Sequence, residues 1–276
     1  MNIDNNKFDL EGFTEPFKML DLYECKKILR EKYIPKKNYT WMKSVHEKSF
    51  EIAKLASRKN LVDKVKQTLG SDIILWGSCL INQGAGNQHS WHCDLEFENW
   101  DGVTIWIGLK NLNEKTPLSL ISHSHKIDTF PQKLVEKKIN LENDKEILDE
   151  AKKLNTNCEM RTFKLKAGEA IMWSGRVWHK TINLSTKPRE SIILQFASPK
   201  NKIKIPVKYD YKNMEWLDKN PPCLLVSGED KYGINKIIKI NDLKINNKLI
   251  SFIEKNIFFF RYLLSKAYYK IKKFKF

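Results

Sequence analysis

The sequence predicts a mainly β fold, a barrel or jelly roll with flanking helices. Two observations carry that reading. From Asp72 to about Pro199 a series of short runs rich in Ile, Val, Trp and Thr is broken by Gly and Asn, the texture of a many-stranded closed sheet rather than a parallel α/β sheet. Before them, residues 1–70 place their apolar side chains at helical spacing.

In the N-terminal region, Met19-Leu20, Leu22-Tyr23 and Ile28-Leu29 form one stripe. Val45, Phe50, Ile52-Ala53 and Leu55-Ala56 form a second, and Leu61-Val62 to Leu69 a third, which Gly70 stops. Residues 71–200 are the expected core domain. Its strands are predicted at 73–81, 91–97, 103–109, 118–122, 161–165, 170–173, 178–183 and 191–197. Within it, residues 126–160 are charged and helical in period, which predicts an insertion between two halves of the barrel. Residues 201–276 are read as a C-terminal extension, irregular around Pro206, Pro221 and Pro222. A basic amphipathic helix is expected over 249–276, with Ile253, Ile257, Phe260, Leu264, Ala267 and Ile271 on one face. From Lys255 onward that segment carries seven basic residues and no acid, so it is expected to dock on the domain or to touch an anionic membrane surface.

Composition narrows the class. A hydrophobic fraction of 41% with 11% aromatic residues excludes a disordered chain. The first ten residues show no basic n-region followed by an apolar stretch, and five cysteines lack CxxC spacing. Reduced thiols in the cytoplasm, with membrane association through the basic tail, are the expectation. The net charge of +16 points toward an anionic partner. Only six of the 49 basic residues are Arg, however, and base readout leans on Arg forks, so nucleic acid is not favoured. A phosphorylated or otherwise anionic small molecule fits better.

The chemistry gathers around Trp91-His92-Cys93-Asp94. On a strand, positions i and i+2 share a face, so His92 and Asp94 are expected to reach one ion. His179, at the start of a late strand, is the natural third ligand. Two imidazoles and a carboxylate on one face of a metal leave open positions, which suits non-haem Fe(II). Arg189 follows ten residues after His179 and opens the neighbouring strand, where a buried guanidinium forks onto a carboxylate. Thr181 shares the strand face of His179 and offers a hydroxyl to the same carboxylate. An HxD pair alone is a weak signal; its combination with the distal histidine and the spaced arginine is specific.

Here the sequence resembles the phytanoyl-CoA dioxygenase family of Fe(II)/2-oxoglutarate-dependent oxygenases, from about Trp76 to Pro199. The HxD stands as His92-Cys93-Asp94, with His179 following 85 residues after Asp94. The string from His179 to Arg189, with Thr181, Asn183 and Ser185 between, is similar to the family's H-x-S/T-x-x-N-x-S-x-x-x-R. Pro117 to Lys126 resembles its G-P-L-x-x-x-P-G-S-H-K, except that Thr116 replaces Gly and Ser122-His123 replaces Pro-Gly. The resemblance implies a double-stranded β-helix (jelly-roll, cupin-like) core. It implies iron on His92, Asp94 and His179, 2-oxoglutarate chelating it with its far carboxylate on Arg189 and Thr181, and O₂ as oxidant. By a looser carry-over, Asn82 and Gln83 bind the keto-acid end. The implied reaction is hydroxylation of an aliphatic C–H of a small-molecule metabolite, anionic or lipid- or glycan-linked. A halogenating relative would need a small residue in place of Asp94. The residues leave two other readings open: a nucleic-acid dealkylating oxygenase on the same barrel, and a non-catalytic or zinc-binding cupin-like module.

Overall fold

The computed structural model describes residues 5–31, 43–95, 101–206, 216–217 and 221–243. The predicted helix over 249–276 lies outside the described residues, as do Glu96 and Phe97 of one predicted strand.

The chain begins with α1 (Asn5–Glu11), the two-residue strand β1 (Phe17–Lys18) and α2 (Leu22–Arg30). The entry to α2 is a capping box: the Asp21 carboxylate accepts from the Glu24 N–H, and the Glu24 carboxylate accepts from the Asp21 N–H. The single predicted helix over 45–56 is in fact two, α3 (Val45–Lys48) and α4 (Phe50–Ala56). Ser49 divides them because it leaves the helical conformation to cap α4, its hydroxyl accepting from the Ile52 N–H. Then α5 (Lys59–Leu69) ends at Gly70, whose φ of +83° is readily reached without a Cβ.

The strands follow: β2 (Ile73–Gln83), β3 (Gln88–His92), β4 (Gly102–Lys110) and β5 (Leu118–Ile121). The insertion carries α6 (Pro131–Leu134) and α7 (Asp144–Leu154). After it come β6 (Met160–Phe163), β7 (Glu169–Ser174), β8 (His179–Ile182) and β9 (Arg189–Ala197). Past Pro199 lie the short pair β10 (Ile205–Pro206) and β11 (Trp216–Leu217), then β12 (Pro222–Ser227) and β13 (Lys236–Ile238).

These strands build two main sheets. The larger has the order β1-β7-β4-β9-β2-β12-β13, and the smaller β3-β8-β5-β6. Their facing sides share one cluster, with Trp106, Ile171, Trp173 and Ile193 from the large sheet against Leu118, Leu120 and Phe163 from the small one. This is the jelly-roll core the sequence predicts. On the outer side of the large sheet, Ile105, Ile107, Ile192, Leu194 and Phe196 pack against Leu55, Leu61 and Val65 of the N-terminal helices. Each such side chain fully buried contributes about 1.5–3 kcal/mol, so this layer makes the large sheet a rigid wall.

The small sheet is covered on its outer side by the insertion, through Trp91, Cys93, Ile121 and Trp178 against Ile127, Phe130, Leu134, Ile147 and Ala151. Asp144, in the first turn of α7, fastens that cover. It accepts from the Trp91 indole at 2.9 Å and from the Lys180 ammonium. Strand β12 comes from the segment that reads as irregular in sequence. Its prolines sit just before it and at its first residue, where a missing N–H costs nothing, and it pairs antiparallel with β2.

Candidate active site

The site lies between the two sheets at one end. His92 closes β3 and His179 opens β8, and the two pair directly across the small sheet, their ring centroids 4.1 Å apart. Asp94 is not on a strand. It lies two residues past the end of β3, where its N–H and that of Leu95 both donate to the Gly175 carbonyl at 2.9 Å. The pairing register shifts between His89 and His92, so the strand-face argument for His92 and Asp94 does not describe how they meet. A turn held by Gly175 brings the carboxylate round instead. One ligand atom from each of His92, Asp94 and His179 lies within 4.8 Å of the others; His179 is buried and the other two half-buried.

The donor set is prepared for a cation. His92 Nδ1 lies 2.8 Å from the Ser90 carbonyl and His179 Nδ1 lies 2.9 Å from the Val177 carbonyl. A carbonyl only accepts, so both Nδ1 atoms carry the proton and both Nε2 lone pairs are free for metal. On Asp94 one oxygen, Oδ2, accepts from the Thr104 hydroxyl at 2.7 Å and the Trp173 indole at 3.1 Å, leaving Oδ1 for metal. Trp173 also lies against the His179 ring, with centroids 4.8 Å apart.

Burial and the neighbouring His179 push His92 well below the usual imidazole range, and burial does the same to His179. Burial works to raise the Asp94 carboxyl, but His179, Lys43, His92 and the Thr104 hydrogen bond outweigh it and hold the carboxyl below its ordinary value. At neutral pH the three ligands are thus two neutral imidazoles and a carboxylate, the protonation states a metal requires. Thr104 and Trp173 escape sequence reasoning because an isolated Thr in an apolar strand and a core Trp carry no mark of what they bond.

Arg189, the first residue of β9, is fully buried, with no hydrogen-bond partner for Nε or Nη1 among the described residues. Its guanidinium lies 5.1 Å over the Trp106 ring, and burial pulls it down to about 10 from its ordinary value, leaving it charged at neutral pH. A buried cation with open N–H groups fits an anionic ligand, and a carboxylate fits the fork. Asn183 sets its position. The Asn183 amide donates to the carbonyls of Gln83, Gly84 and Lys187 and accepts from Ser185, tying the β8–β9 loop to the end of β2, where Gln83 pairs with Arg189.

Thr181 is buried two residues along β8 from His179. Gln83 is buried as well, its amide donating to the Thr181 carbonyl at 3.2 Å while Oε1 has no partner among the described residues. Asn82 does not join them; it is exposed, and the alternation of β2 turns it to the opposite face from Gln83. His89 stands at the mouth, its ring 3.9 Å from that of His92. His123 and His125 form no cluster with a third ligand among the described residues. His125 instead bonds the Asp9 carbonyl at 3.2 Å, holding the N-terminal segment. His123 stands at φ +61°, a left-handed position that explains why the resembling motif has glycine there.

A model of the family described as phytanoyl-CoA dioxygenase (PhyH) matches residues 12–191. Comparison with curated protein sequences gives no match. Among solved structures the chain is similar to the non-haem monooxygenase ThoJ in its apo form, at 16% identity over 85% of this chain and 86% of that one, with a TM-score of 0.59. It is similar to CytC3 with Fe(II) and α-ketoglutarate, at 16% identity over 85% and 91% of the two chains and a TM-score of 0.57. EctD from S. alaskensis, with 2-oxoglutarate and 5-hydroxyectoine, matches at 16% identity over 85% and 86%, also with a TM-score of 0.57. At these identities the structural likeness is one of fold.

Proposed function

Because the chain belongs to the phytanoyl-CoA dioxygenase family, whose members are non-haem Fe(II)/2-oxoglutarate-dependent oxygenases, we propose that it hydroxylates an aliphatic C–H of a small-molecule metabolite. The centre would be His92, Asp94 and His179. The observation that supports this most is the convergence of two Nε2 atoms and one carboxylate oxygen, together with a buried Arg189 whose Nε and Nη1 have no hydrogen-bond partner among the described residues.

When bound, Fe(II) and 2-oxoglutarate supply the oxidising chemistry: with O₂ and R–H they give R–OH, succinate and CO₂. The protein's residues do the rest. Arg189 takes the far carboxylate of the cosubstrate and Thr181 lends a hydroxyl to it. Thr104 and Trp173 keep Asp94 turned toward the cation. Trp106, Ile171 and Ile193 keep bulk water from the inner wall. Asp94 would hold the metal where a halogenating relative would need a small residue, which favours hydroxylation.

The test is anaerobic addition of Fe(II) and 2-oxoglutarate to the purified protein. A visible charge-transfer band is expected in the wild type and not in His179→Ala. A colourless wild type carrying stoichiometric iron would sink the proposal.

A further inference from the structure

The inner face of β9 carries a second buried polar group that the iron and cosubstrate do not account for. Gln195 is 0% exposed, and neither Nε2 nor Oε1 of its amide has a hydrogen-bond partner among the described residues. Leaving both ends of a buried amide unmet is costly, and folded chains rarely keep one without a ligand or a water to meet it.

Its position in the sheet is specific. Gln195 pairs with Gly77 on β2 and with Thr104 on β4, and Thr104 pairs in turn with Trp173 on β7. Residues directly opposite in an antiparallel sheet project to the same face. The row Gly77–Gln195–Thr104–Trp173 therefore lines the inner wall, and its last two members hold Asp94. Arg189 stands on the same face of the same strand, six residues earlier, opposite Gln83. A Cβ at Gly77 would come within 2.6 Å of Gln195 Oε1, so the glycine makes room for the amide to lie where it does.

We infer that Gln195 is a substrate-specificity residue, its amide pairing with a neutral group that offers a hydrogen-bond donor and acceptor side by side, of the primary carboxamide class. This rests on the function proposed above and adds the chemistry of the substrate near the reacting carbon. A partner with both functions meets Nε2–H and Oε1 together. A group that only accepts leaves Oε1 unmet, and a site with an unmet buried polar group discriminates strongly against such an analogue.

Butyramide and pentan-2-one form a matched pair of probes, the ketone replacing the amide NH₂ with CH₃. Full-length protein with ¹⁵N-labelled glutamine side chains, carrying Zn(II) as a diamagnetic stand-in and 2-oxoglutarate, is titrated with each. The Gln195 resonance is assigned by its absence in Gln195→Met. The expected result is a saturable shift of that resonance with butyramide and an affinity about tenfold above that for pentan-2-one. The preference should vanish in Gln195→Met. Equal affinities in the wild type, or an unmoved Gln195 resonance whose only neighbour is a bound water, would overturn the inference; the first result does not depend on a variant that folds. The anaerobic Fe(II)–2-oxoglutarate band separates the two claims. A band in both wild type and Gln195→Met with no amide preference removes only the role of Gln195. No band in either removes the oxygenase reading, whatever the probes do.

Discussion

The two faces of β9 are equally buried and chemically opposite. Ile192, Leu194 and Phe196 point outward into the layer of N-terminal helices. Arg189, Ser191 and Gln195 point inward, and each keeps at least one buried polar atom without a partner among the described residues. One polar pair buried on the outer side is completed: His46 of α3 meets Ser78 of β2 through Nδ1 at 2.8 Å and the Pro222 carbonyl through Nε2 at 2.9 Å. One strand thus carries an apolar outer face against the helices and, on its inner face, polar groups open to a ligand. Burial alone does not distinguish a core from a site; the kind of group that is buried helps to.

The largest effects test that division directly. Arg189→Met is expected to weaken 2-oxoglutarate binding roughly thousandfold, about 4 kcal/mol, because it removes one partner of a buried ion pair, while leaving the thermal stability of the ligand-free protein unchanged or higher. Leu194→Ala, on the other face, is expected to lower stability by about 3 kcal/mol with cosubstrate affinity unaltered. Titration of the visible band and denaturant unfolding on both variants decide this; if each variant moved both quantities equally, the division would fail.

The completed pair on the outer side gives the next effect. Burial pushes His46 down to about 4 from its ordinary value of 6.5. The folded state therefore holds it neutral while the unfolded state takes up a proton, and stability falls as pH drops from about 6.5 toward 4, by up to about 3 kcal/mol. Unfolding free energies of wild type and His46→Gln should converge as the pH is lowered from 7 to 5. A gap that stays constant would assign the pH sensitivity elsewhere. The smallest expected effect is that of Thr104→Val, which strips one hydrogen bond from Asp94. Fe(II) affinity should fall about tenfold with the band still formed, as equilibrium competition with a chelator would measure; unchanged affinity would make Thr104 a packing residue only.

Sequence alone singled out His92, Asp94 and His179 because their spacing is distinctive, and the fold brings the three together. It also located the jelly roll, since short runs rich in Ile, Val, Trp and Thr broken by Gly and Asn leave a strong trace. Other features were hidden for physical reasons. Asp94 reaches the site by a turn bonded to Gly175, and no side-chain pattern encodes that backbone contact. Gln83 and Asn82 are adjacent amides, and only the register of β2 against β9 decides which one faces inward. Thr104 and Trp173 act through partners 10 and 79 positions away in the chain. Strand β12 was masked by prolines that stand where they do no harm to the ladder. The Arg-x-Ser-x-x-x-Gln alternation of β9 was open to reading, as three polar residues at odd positions in a strand whose even positions, Glu190 apart, are apolar.

The pairing of β12 with β2 also bears on how the protein is made. Without β12, the opening residues of β2, Ile73 to Leu75, would leave backbone N–H and C=O groups open, a template for another chain. The ribosome delivers β2 early and its guard only at residues 222–227. Throughout the synthesis of some 140 intervening residues, the start of β2 at residues 73–75 has an unguarded margin. Nascent chains stalled before Pro222 are the species expected to associate with one another or to engage chaperones, while chains released past Ser227 are not.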